Sequence, residues 1–213
     1  MKSIYPVIEF HAFVARDFVG GDAALDFVNT VTGRDQTPRD WLDGYPRLLE
    51  WAGQAKLLPE DVWRTLAKTA RASPEAANKA LQRAKRLREA LFMIVTGMIS
   101  GKTPPRSAMA LLNRHWRAGV AAHELRYEKR DVSLDISAGA VDLDLIASLM
   151  AYRFVEKVLP EPRDRLRICV GNNCSWLFLD RSKAGRRCWC DMAVCGNAAK
   201  SRRFYARARQ EGT

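Results

Sequence analysis

All five cysteines of the chain lie between positions 169 and 195, and the first 168 residues hold none. Five is odd, so a disulfide framework would leave one thiol over, and a reducing compartment would form no such framework. Four of them fall into two pairs, Cys169-x4-Cys174 and Cys190-x4-Cys195, separated by fifteen residues. Two pairs with a moderate spacer suit one tetrahedral metal held by four thiolates, and a closed four-thiolate set describes a structural metal rather than a catalytic one. Zinc is the first reading; an iron–sulfur cluster also uses four thiolates and stays open as the alternative, as does disulfide pairing. Cys188 stands two residues from Cys190, an awkward spacing for one metal, and is expected to be a partly exposed free thiol; swapped ligation is the lesser reading.

Charge is distributed along the same division. The chain of 213 residues has a formal net charge of +11, and residues 161–213 hold 12 Lys or Arg against 5 Asp or Glu, so a quarter of the chain carries most of the excess. Such a balance favours acidic partners, nucleic acid among them. Pro160 and Pro162 stop whatever helix precedes them. We therefore expect two units, a helical domain over 1–160 and a small metal module over 161–213. No run of about 18 apolar residues suggests a membrane span. Glu9 and His11 interrupt the start where a signal peptide needs an apolar stretch, so a cytoplasmic protein is expected.

The first 160 residues read mainly as helix. Residues 22–31 place Leu25, Val28 and Phe27 inward, and residues 40–57 offer Leu42, Leu48, Leu49 and Trp51 to a core. Pro59 opens another helix. Ser73-Pro74-Glu75 supplies a capping hydroxyl, a first-turn proline and an acid near the positive helix end, and starts a helix running to about residue 100. Leu87, Leu91, Ile94, Val95 and Met98 share one of its faces. Lys79, Arg83, Lys85, Arg86 and Arg88 crowd its first half; a solvated face is favoured over a nucleic-acid contact. Residues 107–118 read as helix, 124–136 as a hairpin about Arg130-Asp131, and 142–159 as the closing helix. The fold class is therefore mainly α, or α+β with one small hairpin, followed by a treble-clef-like metal module.

Asp26, Asn29 and Thr30 share a helix face. They either line a polar ligand pocket or form an internal hydrogen-bond network; Asn113 is a weaker pocket candidate. Gly20-Gly21 ahead of that helix reads as a plain turn more than as an anion seat. His11, His115 and His123 belong to no zinc-hydrolase motif, and no Walker loop, dinucleotide fingerprint or nucleophile elbow is present in the sequence, so no enzymatic role is expected.

The metal module reads as a hairpin followed by a helix: 166–168 alternate, 176–179 form a short strand, 180–182 turn, and roughly 198–209 form a basic helix. A core this small needs a staple. Lys200, Arg203 and Arg207 fall within about 60° of one another on an ideal helix; Arg202 lies on a neighbouring face, and Lys183, Arg186 and Arg187 add charge from the loop before Cys190. These seven are the candidate phosphate contacts.

The stretch Cys169-Val-Gly-Asn-Asn-Cys174, Trp176-Leu-Phe-Leu-Asp-Arg-Ser-Lys183 and Trp189-Cys190-Asp-Met-Ala-Val-Cys195-Gly-Asn197 resembles the CGNR zinc finger over residues 166–209. The resemblance implies zinc ligation by Cys169, Cys174, Cys190 and Cys195, and DNA binding in a bacterial transcription regulator. The family motif ends in arginine where this chain has Ala198. Phe18-Val-Gly-Gly21 with Leu25-Asp26-Phe27-Val28-Asn29-Thr30 is similar to the ABATE domain, which precedes this finger; that resemblance covers about 18–152 and implies stress-linked regulation and a sensor for an unknown small ligand. The expected function is a zinc-finger regulator coupled to a ligand-sensing domain, with a homodimer enlarging a small DNA footprint. The alternative is a zinc-stabilised protein-interaction module without sequence-specific DNA binding.

Overall fold

The computed structural model describes residues 11–211, with side chains through residue 206. The signal-peptide expectation falls largely on residues 1–10, outside the described residues. Asp22 accepts a hydrogen bond from the Ala24 N–H (2.9 Å) and opens helix α1, Ala23–Val28. Strand β1, Val31–Thr32, pairs antiparallel with β2, Arg39–Asp40. Helices α2 (Tyr45–Gln54), α3 (Glu60–Ala72), α4 (Pro74–Ser100) and α5 (Arg106–Ala121) follow. Strands β3 (His123–Glu128) and β4 (Asp131–Ile136) form the expected hairpin. Its turn residues, Lys129 and Arg130, both take left-handed φ, 51° and 66°, as a tight two-residue hairpin turn requires. Helix α6, Leu145–Arg153, continues as a π-helical turn over Phe154–Val158. A second hairpin, β5 (Leu166–Ile168) with β6 (Leu177–Leu179), precedes a π-helical turn over Met192–Gly196 and helix α7, Asn197–Glu211.

Helix content with small antiparallel hairpins agrees with the expected class. Three local expectations differ. The helix expected from residue 40 begins only at Tyr45, with Pro46 in its first turn, because Asp40 belongs to β2 and is buried. Ser73 makes no side-chain cap; its N–H bonds Thr69 C=O and closes α3, and Pro74 alone opens α4. The basic cluster of α4 is only in part a solvated face. Lys85 and Arg88 are buried on Asp40, at 2.9 Å and in a bidentate pair at 2.8 and 2.9 Å, and Arg83 grips Asp144 with two bonds of 2.8 Å. Lys79 stays outside, paired with Glu75.

Helix α4 packs against α1, α2, α3, α5, α6 and β5. Leu87, Leu91, Ile94 and Val95 lie in the core with Trp51 and Leu42, whereas Met98 is only partly buried against it. That core does not end at the metal module: Leu166, Leu177 and Leu179 of β5 and β6 belong to the same cluster. Each such buried leucine contributes roughly 1.5–3 kcal/mol. A second cluster, Cys169, Cys174, Cys190, Trp176 and Phe178, forms the interior of the module itself. No helix among the described residues is long and apolar enough to cross a membrane.

Candidate metal centre and basic helix

The ends of short elements deliver the four thiols. Cys169 follows β5, Cys174 precedes β6, Cys190 ends the loop after β6, and Cys195 sits in the π-helical turn leading into α7. Two ligands from a hairpin and two from a helix start make the treble-clef arrangement. Their Sγ atoms all lie within 4.8 Å of one another, and Cys174–Cys190 and Cys190–Cys195 are each 3.7 Å apart. A tetrahedron with Zn–S bonds of about 2.3 Å has edges of about 3.8 Å. The donor set therefore fits one zinc, closed and structural. The N–H groups of Gly171 and Cys190 both donate to Cys169 Sγ at 3.3 Å, orienting that ligand. Gly171 is required by space: a Cβ there would stand 2.8 Å from Cys195 Sγ and 3.2 Å from Cys169 Sγ. Cys188 is exposed and outside the set.

The loop between β6 and Cys190 is fixed by buried Asp180, whose carboxylate accepts from the N–H groups of Ser182 (3.0 Å) and Arg187 (2.8 Å). Hydrogen bonds from Ser182 and then Arg187 hold its carboxyl at about 2. Arg165 donates to the Asp180 and Ser182 carbonyls, and Arg167 to Gly185 C=O. Of the loop cations, Lys183 and Arg186 are exposed. Arg187 is not a free phosphate contact: its guanidinium donates to the carbonyls of Trp189 (2.7 Å) and Cys190 and lies 4.5 Å from the Phe178 ring centre. The apolar interior of the module provides that ring, and the two carbonyls flank the ligand Cys190, so Arg187 braces the ligand loop.

On α7, Lys200, Arg202 and Arg203 are exposed, and among the described residues no acid pairs with them. Arg203 lies 6.0 Å from the Trp189 ring centre. The Arg207 side chain lies outside the described residues. Ala198, where the CGNR motif has arginine, is exposed. Phe204 and Tyr205 are also exposed, at 69% and 66%.

Asp26, Asn29 and Thr30 are brought together, but as ties. Asp26 Oδ1 accepts the Gly20 N–H at 2.7 Å, so an internal carboxylate occupies the turn that could have held an outside anion. Burial first, with Asp22 nearby, raises the Asp26 carboxyl to about 7 against the Gly20 bond and Arg153. Asn29 clamps β6 from both sides, donating to Leu177 C=O (2.9 Å) and accepting from its N–H (2.8 Å). Thr30 Oγ1 donates to Phe27 C=O and accepts from Arg88. Asn113 is exposed on α5, apart from the three. Asp26 Oδ1, the Asn29 amide and Thr30 Oγ1 thus bond protein atoms, each with its own partners. His115 is buried, and burial first lowers its imidazole below the usual range.

The same seam carries more ties that no sequence spacing suggested. Gly33 N–H donates to Cys174 C=O (2.9 Å), Thr37 N–H to Asn173 (3.0 Å), and Ser175 Oγ to Asp35 (2.5 Å). Gly33 has φ of 69°, and a Cβ there would stand 2.4 Å from Asn173 Oδ1. A cavity of about 310 Å³ opens beside these ties, between residues 11–41 and the metal loops. Its walls, His11, Trp41 and Trp176, lie too far apart in the chain to be read together.

The family model described as "Putative stress-induced transcription regulator", ABATE, matches residues 21–158, and that described as "CGNR zinc finger" matches residues 165–208. No curated protein matches the chain.

Proposed function

Since the chain belongs to the ABATE family and carries a CGNR zinc finger, we propose that it is a cytoplasmic transcription regulator whose α7 contacts DNA and whose helical domain senses a small ligand. The observation that supports this most is the set of Lys200, Arg202 and Arg203, solvent-facing and without acid partners among the described residues, on a helix rooted directly in the thiolate site. A zinc ion held by Cys169, Cys174, Cys190 and Cys195 supplies the cross-link that fixes the start of α7. Lys200 and Arg203 share one side of the helix and meet phosphate oxygens; Lys183 and Arg186 reach the same backbone from the loop. Arg187 holds the Cys190 loop and makes no DNA contact. The reading assigns no catalytic step to any residue, and a second copy would lengthen a footprint that one small finger leaves short.

The test is retention of a random duplex pool by the zinc-loaded full chain, titrated at several salt concentrations, with the bound fraction sequenced. Enrichment of a sequence, with affinity falling as salt rises, is the expected outcome. Absence of binding near physiological salt would overturn the DNA reading.

Exposed Phe204 and Tyr205 favour one second reading, a zinc-stabilised module docking on an acidic protein. A specific protein complex that survives nuclease and is lost in Phe204→Ala, without DNA retention, would establish it.

A further inference from the structure

The cavity beside the metal loops has the make-up of a small-ligand site. Two of its walls are flat. His11 stacks on Trp41 with ring centres 3.7 Å apart and 9° between planes, and Trp176 meets Trp41 edge-on at 5.6 Å and 82°. A right-angled aromatic corner offers one face and one edge to a planar ring. The cavity volume, about 310 Å³, is at the small end of ligand sites and suits one or two fused rings.

Its charged lining is asymmetric in availability. Asp17 is engaged by His11 Nε2 and the Val14 N–H, both at 2.9 Å, and Asp191 accepts the Val194 N–H at 2.8 Å. Arg16 and Arg202 line the same cavity, are exposed, and have no acid partner among the described residues. One oxygen of each carboxylate is taken up by protein donors, and the Cys174, Cys190 and Cys195 thiols of the metal site also border the cavity, so the place for an anion is the arginine side, where both guanidinium groups are available.

We propose that this cavity binds a small aromatic carboxylate, its ring in the corner of Trp41 and Trp176 and its carboxylate on Arg16 and Arg202. The proposal deepens the sensing reading above and rests on it for the consequence. Arg202 belongs to α7, beside the face of Lys200 and Arg203, so a ligand carboxylate that engages it removes one positive charge from the helix that meets DNA. Ligand then weakens DNA binding, and DNA weakens ligand binding by the same factor.

The probes are 1-naphthoate and its neutral counterpart 1-naphthalenemethanol, titrated calorimetrically and by tryptophan emission into the zinc-loaded full chain without DNA. Saturable naphthoate binding with a change in emission, about tenfold tighter than the alcohol, is expected, a ratio equal to about 1.4 kcal/mol. Arg16→Ala and Arg202→Ala, both at exposed positions, each weaken naphthoate several-fold and leave the alcohol unchanged, and Trp41→Phe weakens both. Equal binding of the two probes, no binding at millimolar concentration, or indifference to both arginine variants would overturn the proposal. Because this arm contains no DNA, a chain that takes naphthoate as described but retains no duplex keeps the site and loses only the DNA reading. A chain that retains duplex equally with and without bound naphthoate keeps the DNA reading and overturns the coupling.

Discussion

Helix α4 carries Lys79, Arg83, Lys85, Arg86 and Arg88 in its first half, and α7 carries Lys200, Arg202 and Arg203 in its own; as text the two clusters look alike. In the fold Lys85 and Arg88 of the first have the opposite fate to the cations of the second. Arg88 is 1% exposed and bidentate on Asp40, with Lys85 on the same carboxylate. The α7 cations face solvent without acids. What separates them is a partner at a distance: Asp40 lies 48 positions before Arg88, on a strand only two residues long. A cation cluster takes its role from the acids that the fold brings to it, so cationic composition alone says little about nucleic-acid contact.

The largest way to break this contrast is Arg88→Ala. It leaves buried Asp40 with Lys85 and the Leu42 N–H, and removing one member of a buried pair costs about 3–5 kcal/mol. Urea unfolding at neutral pH reads the loss. Burial pushes the Asp40 carboxyl up, but Arg88 and Lys85 outweigh it and hold the carboxyl at about 2. A depressed carboxyl contributes stability above the unfolded value near 3.9, lost as pH falls toward 2. Arg88→Ala flattens that acid limb.

Asp26 is the sharper comparison, a buried carboxylate without such a pair. Held near 7, it keeps its proton in the folded chain while the unfolded chain has lost it above about 4. Its contribution is thus present below pH 4 and lost as pH rises to 7. Asp26→Asn keeps an oxygen for the Gly20 N–H and does not titrate. The variant should match the parent at pH 4 and exceed it by about 2–4 kcal/mol at pH 8. Equal stability of both chains at pH 8 would contradict this account of the burial.

Next in size is Asn29→Ala. It removes both bonds to Leu177 and leaves a strand N–H and C=O buried, a loss of about 1–3 kcal/mol. Because β6 lies in the helical core and adjoins Cys174, the variant should also release zinc to a chelator faster. Unchanged release would mean that the metal site is insensitive to the seam.

The contrast also shows what the chain made legible. The thiolate set, the β3–β4 hairpin and the start of α4 rest on signals within a few residues: cysteine spacing, alternation and Pro74. The β1–β2 ladder gives no such signal, with two residues per strand. Asp26, Asn29 and Thr30 were legible as a shared face with an internal network as one of two readings, but their partners were not, since that of Asn29 lies 148 positions away. Arg187 looked like its neighbours Lys183 and Arg186, and only the Phe178 ring and the Cys190 carbonyl distinguish it. The cavity combines residues near 11–41 with residues near 171–202, so its walls meet only in three dimensions.

The smallest expected effect on stability is also the one that most directly tests the use of α7. Lys200 and Arg203 touch no acid among the described residues, and Arg203 lies 6.0 Å from the Trp189 ring centre. Replacing both with alanine, a good helix former, should move the unfolding free energy by less than about 0.5 kcal/mol. If each meets one phosphate, the slope of log affinity against log salt should fall by about 0.9 per cation removed, and binding should weaken uniformly across sequences. Arg187→Ala should do the reverse, destabilising the Cys190 loop and leaving that slope unchanged once zinc is saturating. An unchanged slope in the double variant would remove α7 from the DNA contact even if the full chain binds duplex. A stability loss as large as that of Arg88→Ala would show that the α7 cations, too, answer to a partner inside the fold.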